Sequence, residues 1–198
     1  MKSNILHFSV VLMLIASAFT TSAQAQDVKS WSTAGSTGTA DKVDLNKIVY
    51  SNGIVAFPEI QGTQSSARRA AGPQLQTVQA VIRYNVTAAD GLFFDSGRLC
   101  MVVRFRDDGN RARVFLRLIR LSVSDGTSAT LLTFDSNSFS AQQDFQTNSV
   151  GTNRVPFDFS QNAYYVEATL TKQQPIVTVG GGRPALAVVV LTRCNPIT

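Results

Sequence analysis

The chain has 198 residues and a formal net charge of +5 at pH 7, and its single histidine is His7. Since His7 lies in a segment that we predict to be removed, the mature chain lacks imidazole. This excludes Ser-His-Asp and Cys-His nucleophile systems, HExxH zinc sites and histidine-ligated iron or copper. A modest positive charge on an exported protein permits acidic glycans, lipid headgroups or anionic polymers as partners without requiring any of them.

Residues 1–25 have the pattern of a secretory signal peptide. Lys2 supplies the positive n-region, residues 8–19 form a short apolar run, and Ala23-Gln24-Ala25 fits the small-x-small cleavage pattern. The apolar run is too short for a membrane span and no second candidate follows, so we predict no transmembrane segment in the mature chain. We expect cleavage after Ala25 and a secreted or periplasmic protein, with a charge lowered from +5 to +4 by the loss of Lys2.

The next segments predict a flexible lead-in followed by one domain. Residues 26–42 are rich in Ser, Thr and Gly, show no periodicity and include the only tryptophan, Trp31. Residues 43–198 have the length of a single domain. Within them, residues 47–50 and 53–57 resemble short strands, and the Asn52-Gly53 dipeptide where they meet is typical of a hairpin turn. Residues 75–86 alternate in hydrophobicity, as expected of a strand.

Residues 98–123 carry the strongest pattern in the chain. Asp108-Gly109 lies between two runs rich in β-formers and predicts a hairpin with a type I′ turn. In that register Phe105 faces Ala112, Arg104 faces Arg113, and one side of the hairpin is apolar throughout. The other side would carry four arginines and, beneath them, an apolar strip. The arginines are Arg104, Arg106, Arg111 and Arg113, and the strip consists of Val102, Phe115, Ile119 and Leu121.

The rest of the chain continues the alternation of short strands and turns. Residues 136–160 are polar for longer than a loop usually is, so we expect a short strand or helical turn within them. Residues 163–170 predict a half-buried strand, and residues 185–191 are apolar on both faces, which indicates a central strand. Seven to nine strands without a long amphipathic helix predict an all-β fold, an antiparallel β-sandwich or jelly roll in a single domain.

The two cysteines, Cys100 and Cys194, both lie on predicted strands with the parity of the outer face. An exported chain meets an oxidising compartment, so we expect them to form a disulfide. The alternative is two thiols too far apart to bond. Two cysteines without histidine do not make a metal site.

Two turns rich in oxygen-bearing side chains raise the question of calcium binding. Residues 107–110 and 135–137 offer carboxylate and amide oxygens, but neither has the spacing of an EF-hand. Asp, Asn and Gly are also what turns require for backbone reasons, and we favour that interpretation. We therefore predict no metal and no other cofactor.

The absence of histidine does not exclude a hydrolase that uses a pair of carboxylates, because glycosidases need only two carboxylates. The chain has two glutamates, Glu59 and Glu167. Glu167 is predicted to point outward beside Tyr165, where it would be a solvated strand residue or a partner for one of the arginines; a catalytic acid is the alternative. Stacking on a sugar would have to come from Tyr50, Tyr84 or Tyr165.

The four arginines suggest the most specific hypothesis. Like charges directly opposite each other destabilise a sheet, so carboxylates should offset them. If none does, the set forms an anion site for a glycan or polymer. Nucleic acid is not expected, because no aromatic residues interleave with the arginines. The apolar strip would be covered by the chain itself or by self-association.

We thus predict an exported, non-catalytic β-sandwich with a binding or assembly role at the cell surface or outside the cell. The alternative is a carbohydrate-active jelly-roll enzyme with a carboxylate pair.

Overall fold

The computed structural model describes residues 30–58, 75–87, 98–109, 111–153, 155–175 and 182–194. In this part of the chain the backbone forms eleven strands and two short 3-10 turns, and no α-helix. The strands are β1 (Trp31–Ala34), β2 (Thr39–Ala40), β3 (Val49–Ser51), β4 (Ile54–Ala56), β5 (Leu75–Val86), β6 (Leu99–Asp107), β7 (Ala112–Ser122), β8 (Ser128–Asp135), β9 (Gln142–Thr152), β10 (Asn162–Pro175) and β11 (Ala185–Arg193). The 3-10 turns span Gly35–Thr37 and Ser136–Ser138. The predicted signal peptide lies outside the described residues.

The strands form two antiparallel sheets with a shared core, so the predicted fold class is confirmed. The six-stranded sheet has the order β3-β4-β11-β6-β9, and β1 pairs with a different part of β11 from β4. The five-stranded sheet has the order β2-β5-β10-β7-β8. Strands β5 to β11 each have at least eight residues and carry most of the core. As predicted, β11 lies inside its sheet.

The period-two patterns identified the buried faces of β6, β7 and β10 correctly. The inward side chains of β6 and β7 that are fully buried are Leu99, Met101, Val103, Phe105, Val114, Leu116 and Leu118. Those of β10 are Val166, Ala168 and Leu170, with Tyr164 almost fully buried beside them. Apolar side chains of this size stabilise a fold by about 1.5–3 kcal/mol each when fully buried, so the two inner faces hold the sheets together.

The predicted hairpin between β6 and β7 is wrong. β6 pairs with β11 and β9, whereas β7 pairs with β10 and β8, so the two strands belong to different sheets. A type I′ turn needs positive φ at both central residues. Gly109 has φ of 117°, but Asp108 is not among the described residues with positive φ. The two apolar faces therefore meet across the core instead of lying side by side.

Buried polar groups tie the two sheets together where the chain crosses between them. Asp107 ends β6 and is only 3% exposed. Its Oδ1 accepts a hydrogen bond from the Gly109 N–H (3.0 Å), and its Oδ2 accepts one from the Ser136 hydroxyl. The Ser136 Oγ in turn accepts a hydrogen bond from the Val114 N–H of β7 (2.8 Å). A buried carboxylate with several donors replaces its lost water contacts in this way.

The second turn signal, Asn52-Gly53, does form the predicted hairpin. β3 and β4 pair with Tyr50 opposite Val55 and Ser51 opposite Ile54. Asn52 and Gly53 have φ of 50° and 80°, the left-handed values that a type I′ turn requires.

Two segments without strand periodicity contain strands. As expected, the polar segment 136–160 contains a helical turn, the 3-10 turn Ser136–Ser138, and it also contains the eleven-residue edge strand β9. The lead-in 26–42, predicted to be flexible, holds β1 and β2 in its described part, residues 30–42. Trp31 of β1 is half-buried and packs against the core. The flexible prediction is thus wrong for these two strands, and residues 26–29 lie outside the described part.

Cys100 and Cys194 form the predicted disulfide. Their sulfur atoms are bonded across a sequence separation of 94 residues, and the chain contains no other cysteine. The bond lies over Gly151 of β9, where an added Cβ would come within 3.0 Å of the Cys194 sulfur. A side chain at position 151 would therefore require the sulfur atoms to shift by a few tenths of an ångström, whereas glycine leaves them in place.

Candidate functional site

The four predicted site arginines do not share a face. Arg104 and Arg106 lie on β6 in the six-stranded sheet, Arg113 lies on β7 in the five-stranded sheet, and Arg111 lies in the connection between them. The predicted cross-strand contacts, Arg104 with Arg113 and Arg106 with Arg111, are therefore wrong. Their physical basis, a shared hairpin register, is absent, because each strand pairs with other partners.

The outer face of the five-stranded sheet carries a continuous row of opposite charges, which we name the charged row: Asp41, Arg83, Glu167 and Arg117. In the register of β10, Glu167 is directly opposite Arg83 of β5 on one side and Arg117 of β7 on the other. The Arg83 Nε donates to Glu167 Oε2 (3.0 Å), and the Arg117 Nη2 donates to Glu167 Oε1. Arg83 Nη1 also donates to Asp41 Oδ1 (2.5 Å).

Glu167 is held at the centre of the charged row, and its predicted role as a partner for arginine is confirmed. The residue is only 8% exposed, whereas the side chains of Arg83 and Arg117 are each 42% exposed. Burial acts to lower the pKa of Arg83, but its contacts with Asp41 and Glu167 outweigh that effect, and the pKa lies above its usual value. The ion pairs thus hold the side chains of the charged row in place, while the guanidinium groups of Arg83 and Arg117 remain partly exposed to solvent.

A second ion pair on the same face holds Arg113. Its Nε and Nη2 donate to the two carboxylate oxygens of Asp135, at 3.0 and 2.6 Å. The hydrogen bond raises the pKa of Arg113 and lowers the pKa of Asp135. The guanidinium also lies over the ring of Phe115, 4.7 Å from its centroid. Asp135 thus offsets the charge of one predicted site arginine.

Of the three tyrosines considered for sugar stacking, Tyr165 lies beside the charged row. It is two residues from Glu167 on β10, is half-buried, and lies opposite Asn85 and Ile119 in the neighbouring strands. Tyr84 is buried in the core, and its hydroxyl donates to the Gly35 carbonyl (2.8 Å). Tyr50 is 38% exposed on β3 of the other sheet. Tyr165 is therefore the tyrosine that combines a ring with nearby polar groups.

The outer face of the six-stranded sheet is built differently. Arg104 and Arg106 both lie against the ring of Phe145 of β9, at 5.9 and 5.6 Å from its centroid. Arg106 Nε also donates to the Arg183 carbonyl (3.1 Å). Within the described part of the chain, neither side chain is ion-paired. We name this group the arginine clamp: Arg104, Phe145 and Arg106.

The predicted apolar strip is also divided between the sheets. Val102 lies on β6, opposite Val190 of β11, whereas the other three members lie on β7. These three, Phe115, Ile119 and Leu121, still share the outer face of the five-stranded sheet, and Ile119 is 5% exposed. The predicted continuous strip is wrong because its two strands do not pair. Self-association through the remaining three residues stays a prediction.

The oxygen-rich turns use their carboxylates within the chain. Asp107 and Asp135 are engaged as described above, and Asp108 Oδ1 accepts a hydrogen bond from the Arg183 N–H (2.9 Å). Asp135 Oδ1 also accepts one from the Asn137 N–H (3.1 Å), as in an Asx turn. Among the described residues, no group of three or more His, Cys, Asp or Glu side chains is placed to hold a metal ion.

Glu167 is the member of the charged row that the sequence singles out. Arg83 lies within the strand predicted from residues 75–86, Arg117 lies in the second half of the predicted hairpin, and Asp41 lies in the segment predicted to be flexible. Alternation placed Arg83 and Glu167 on outer faces, but it does not say which strands are neighbours. The antiparallel pairing of residues 75–86 with residues 163–170 sets Glu167 opposite Arg83. Predicting this contact would have required predicting that these two strands are neighbours.

Comparison with known proteins gives structural similarity only. No family model and no curated protein matches the chain. TmCBM61, determined in complex with β-1,4-galactotriose, aligns at 6% identity and TM-score 0.34 over 83% of this chain and 88% of its own. The xylan-binding module CBM15 aligns at 12% identity and TM-score 0.33 over 73% and 99%. The CBM22-1 xylan-binding domain of Paenibacillus barcinonensis Xyn10C aligns at 7% identity and TM-score 0.33 over 84% and 95%. The fold assignment therefore rests on the strand pairing described above.

The described residues contain no helix that is long and apolar enough to cross a membrane.

Proposed function

We propose that this chain is an exported, non-catalytic β-sandwich that binds a glycan on the outer face of its five-stranded sheet. The observation that carries the proposal is the charged row beside Tyr165. Export is supported by the signal-peptide pattern of residues 1–25 and by the disulfide, which persists in oxidising compartments.

The charged row has the chemistry that sugar hydroxyls need. A hydroxyl both donates and accepts hydrogen bonds, and the row alternates guanidinium donors with carboxylate acceptors across three adjacent strands. Because these side chains already hold one another, binding costs little additional side-chain entropy. Their half-exposed guanidinium edges keep N–H groups available on the solvent side.

Tyr165 supplies the apolar part of the same site. A tyrosine ring is a flat apolar surface with a polar end, which suits contact with the C–H face of a pyranose ring. Binding sites commonly combine such apolar surface with a few fixed polar groups. Tyr165 and Glu167 lie two residues apart on one strand, so ring and polar row face the same way.

The geometry favours binding over glycoside hydrolysis. Arg83 brings the carboxylates of Asp41 and Glu167 to two atoms of one guanidinium, so a carboxylate pair is present. A general acid must give a proton to the glycosidic oxygen. Both oxygens of Glu167, however, already accept hydrogen bonds from arginine. We expect no release of reducing sugar from a bound polysaccharide above the buffer control.

Affinity electrophoresis and calorimetry with soluble polysaccharides test the proposal. Xylan and β-1,4-galactan are suitable first probes, followed by a wider glycan panel. We expect Tyr165→Ala to weaken binding by about tenfold or more, which corresponds to loss of one ring contact. Tyr50→Ala is the matched control, because Tyr50 is exposed on the other sheet and should bind like the parent.

Two results would contradict the proposal. One is the absence of binding across the glycan panel by the folded mature chain. The other is equal affinity of the Tyr165→Ala variant and the parent for a glycan that does bind. Thermal unfolding of both variants shows whether the substitutions leave the sandwich intact.

A further inference from the structure

We propose that the arginine clamp on the six-stranded sheet is a second binding site, which takes the sulfate or carboxylate groups of an acidic polysaccharide. It lies on the opposite face of the sandwich from the charged row. The inference therefore does not rest on the proposed glycan site and can fail or hold independently of it.

The clamp places two guanidinium groups on one aromatic ring. Arg104 is directly opposite Thr147 of β9, and Phe145 lies two residues before Thr147 on the same outer face. Both arginines stand within 6 Å of the Phe145 ring centroid, at 5.9 and 5.6 Å. Contact with a ring face orients a guanidinium and lowers the entropy lost when it binds a ligand.

The charge of the clamp is not offset as it is on the other sheet. On the five-stranded sheet Arg83, Arg113 and Arg117 each pair with a carboxylate. In the described residues no carboxylate pairs with Arg104 or Arg106. Asp108 lies at the same end of the sheet, where its carboxylate accepts the Arg183 N–H. Both guanidinium groups lie against the same ring, so their positive charges act on the same part of the surface and attract an anion there.

The surroundings of the clamp favour a polysaccharide over a membrane surface. Two basic residues attract an anionic bilayer too weakly for stable attachment. The neighbouring outward side chains on β9, Thr147 and Ser149, carry hydroxyl groups that suit a hydrated polymer. Planar guanidinium groups bind sulfate and carboxylate through two parallel hydrogen bonds, and a polymer repeats such groups along its length.

The test measures binding of the mature chain to heparin, to polygalacturonate and to neutral dextran. Arg104→Gln/Arg106→Gln removes the two charges but keeps long polar side chains. Arg98→Gln/Arg120→Gln removes two charges from exposed arginines that have no ion pair among the described residues. We expect the clamp variant to bind the acidic polymers about tenfold more weakly per arginine lost, and the control variant to bind like the parent.

A further variant separates geometry from charge. Arg104→Lys/Arg106→Lys keeps both positive charges but loses the planar fork, so we expect weaker binding than the parent and tighter binding than the glutamine variant. Tyr165→Ala should leave binding to heparin unchanged, which distinguishes this site from the one on the five-stranded sheet.

Three outcomes would overturn the proposal. The first is equal weakening in the clamp and control variants, which would show a diffuse effect of net charge. The second is tighter binding to anionic phospholipid vesicles than to either acidic polymer. The third is no binding to heparin or polygalacturonate at low salt by the parent, with the fold verified by thermal unfolding.

Discussion

The two outer faces of the sandwich use arginine in opposite ways. On the five-stranded sheet each of three arginines holds a carboxylate, and Glu167 at the centre is 8% exposed. On the six-stranded sheet Arg104 and Arg106 share one phenylalanine ring. The first arrangement is internally neutral and ordered, whereas the second keeps its charge available. The same residue type is therefore ion-paired on one face and, among the described residues, has no carboxylate partner on the other.

The largest effect that separates the two faces should come from the disulfide, which lies on the outer face of the six-stranded sheet. Cys100→Ala/Cys194→Ala should lower the free energy of unfolding by about 4–5 kcal/mol, because the bond closes a long loop in the unfolded chain. Urea denaturation of the oxidised proteins measures the difference. Under reducing conditions parent and variant should unfold alike; equal stability when oxidised would mean that the bond stabilises nothing.

On the five-stranded sheet, the next effect should come from Glu167→Gln. Removing this carboxylate leaves Arg83 and Arg117 facing each other without an anion between them, at a cost of about 1–3 kcal/mol. Adding Arg117→Gln should recover part of the loss, and a double-mutant cycle in urea gives the coupling. Full additivity of the two substitutions would contradict the pairing.

Acid should weaken the five-stranded face more than the other. The pKa of Asp135 is lowered by its hydrogen bond with Arg113. A carboxyl group with a lowered pKa in the folded state stabilises the protein above its unfolded pKa, near pH 4, and this contribution is lost as the pH falls through the folded value. Because both side chains are partly exposed, the loss is about 0.5–1 kcal/mol.

Unfolding followed between pH 7 and pH 2.5 measures this loss. Asp135→Asn should flatten the curve at the acid end, because it removes the carboxylate that pairs with Arg113. Identical curves for Asp135→Asn and the parent would show that the ion pair contributes nothing.

The smallest effect on stability should come from the arginine clamp. Arg104→Gln/Arg106→Gln should change the free energy of unfolding by no more than about 0.5 kcal/mol, because these charges hold no carboxylate in the described structure. A loss of several kcal/mol in urea denaturation would show that the clamp is part of the framework, and the contrast between the two faces would disappear.

The sequence predicted which face of a strand is buried better than it predicted which strands pair. Alternation correctly buried Phe105 and Val114, since a side chain's direction depends only on its own strand. Strand pairing depends on the whole sheet. Two strands that each have one apolar face can either pair in a hairpin or face each other from two sheets. Asn52-Gly53 and Asp108-Gly109 show the difference: both are turn signals, yet only the first joins neighbouring strands.

The candidate site was less predictable for the same reason. Its central contact, Glu167 between Arg83 and Arg117, joins residues 84 and 50 positions apart in the chain. Asp41 was hidden because two- to four-residue strands, such as β2, are stabilised by the sheet they join and leave little periodicity of their own. The disulfide was predicted because an exported chain meets an oxidising compartment and because both cysteines were placed on outer strand faces. Neither observation depends on the order of the strands.

The pairing of β1 with β11 determines where the sandwich can be connected to other sequences. Trp31 lies opposite Leu191 in adjacent antiparallel strands, so residue 30 and residue 192 are neighbours at one end of the six-stranded sheet. Adjacent strands are about 5 Å apart, a gap that a short linker closes. A circular permutant that links residue 194 to residue 30, and so keeps Cys194 and its disulfide, and that opens the exposed turn at Asp125 and Gly126 should therefore keep the sandwich, with both outer faces unobstructed.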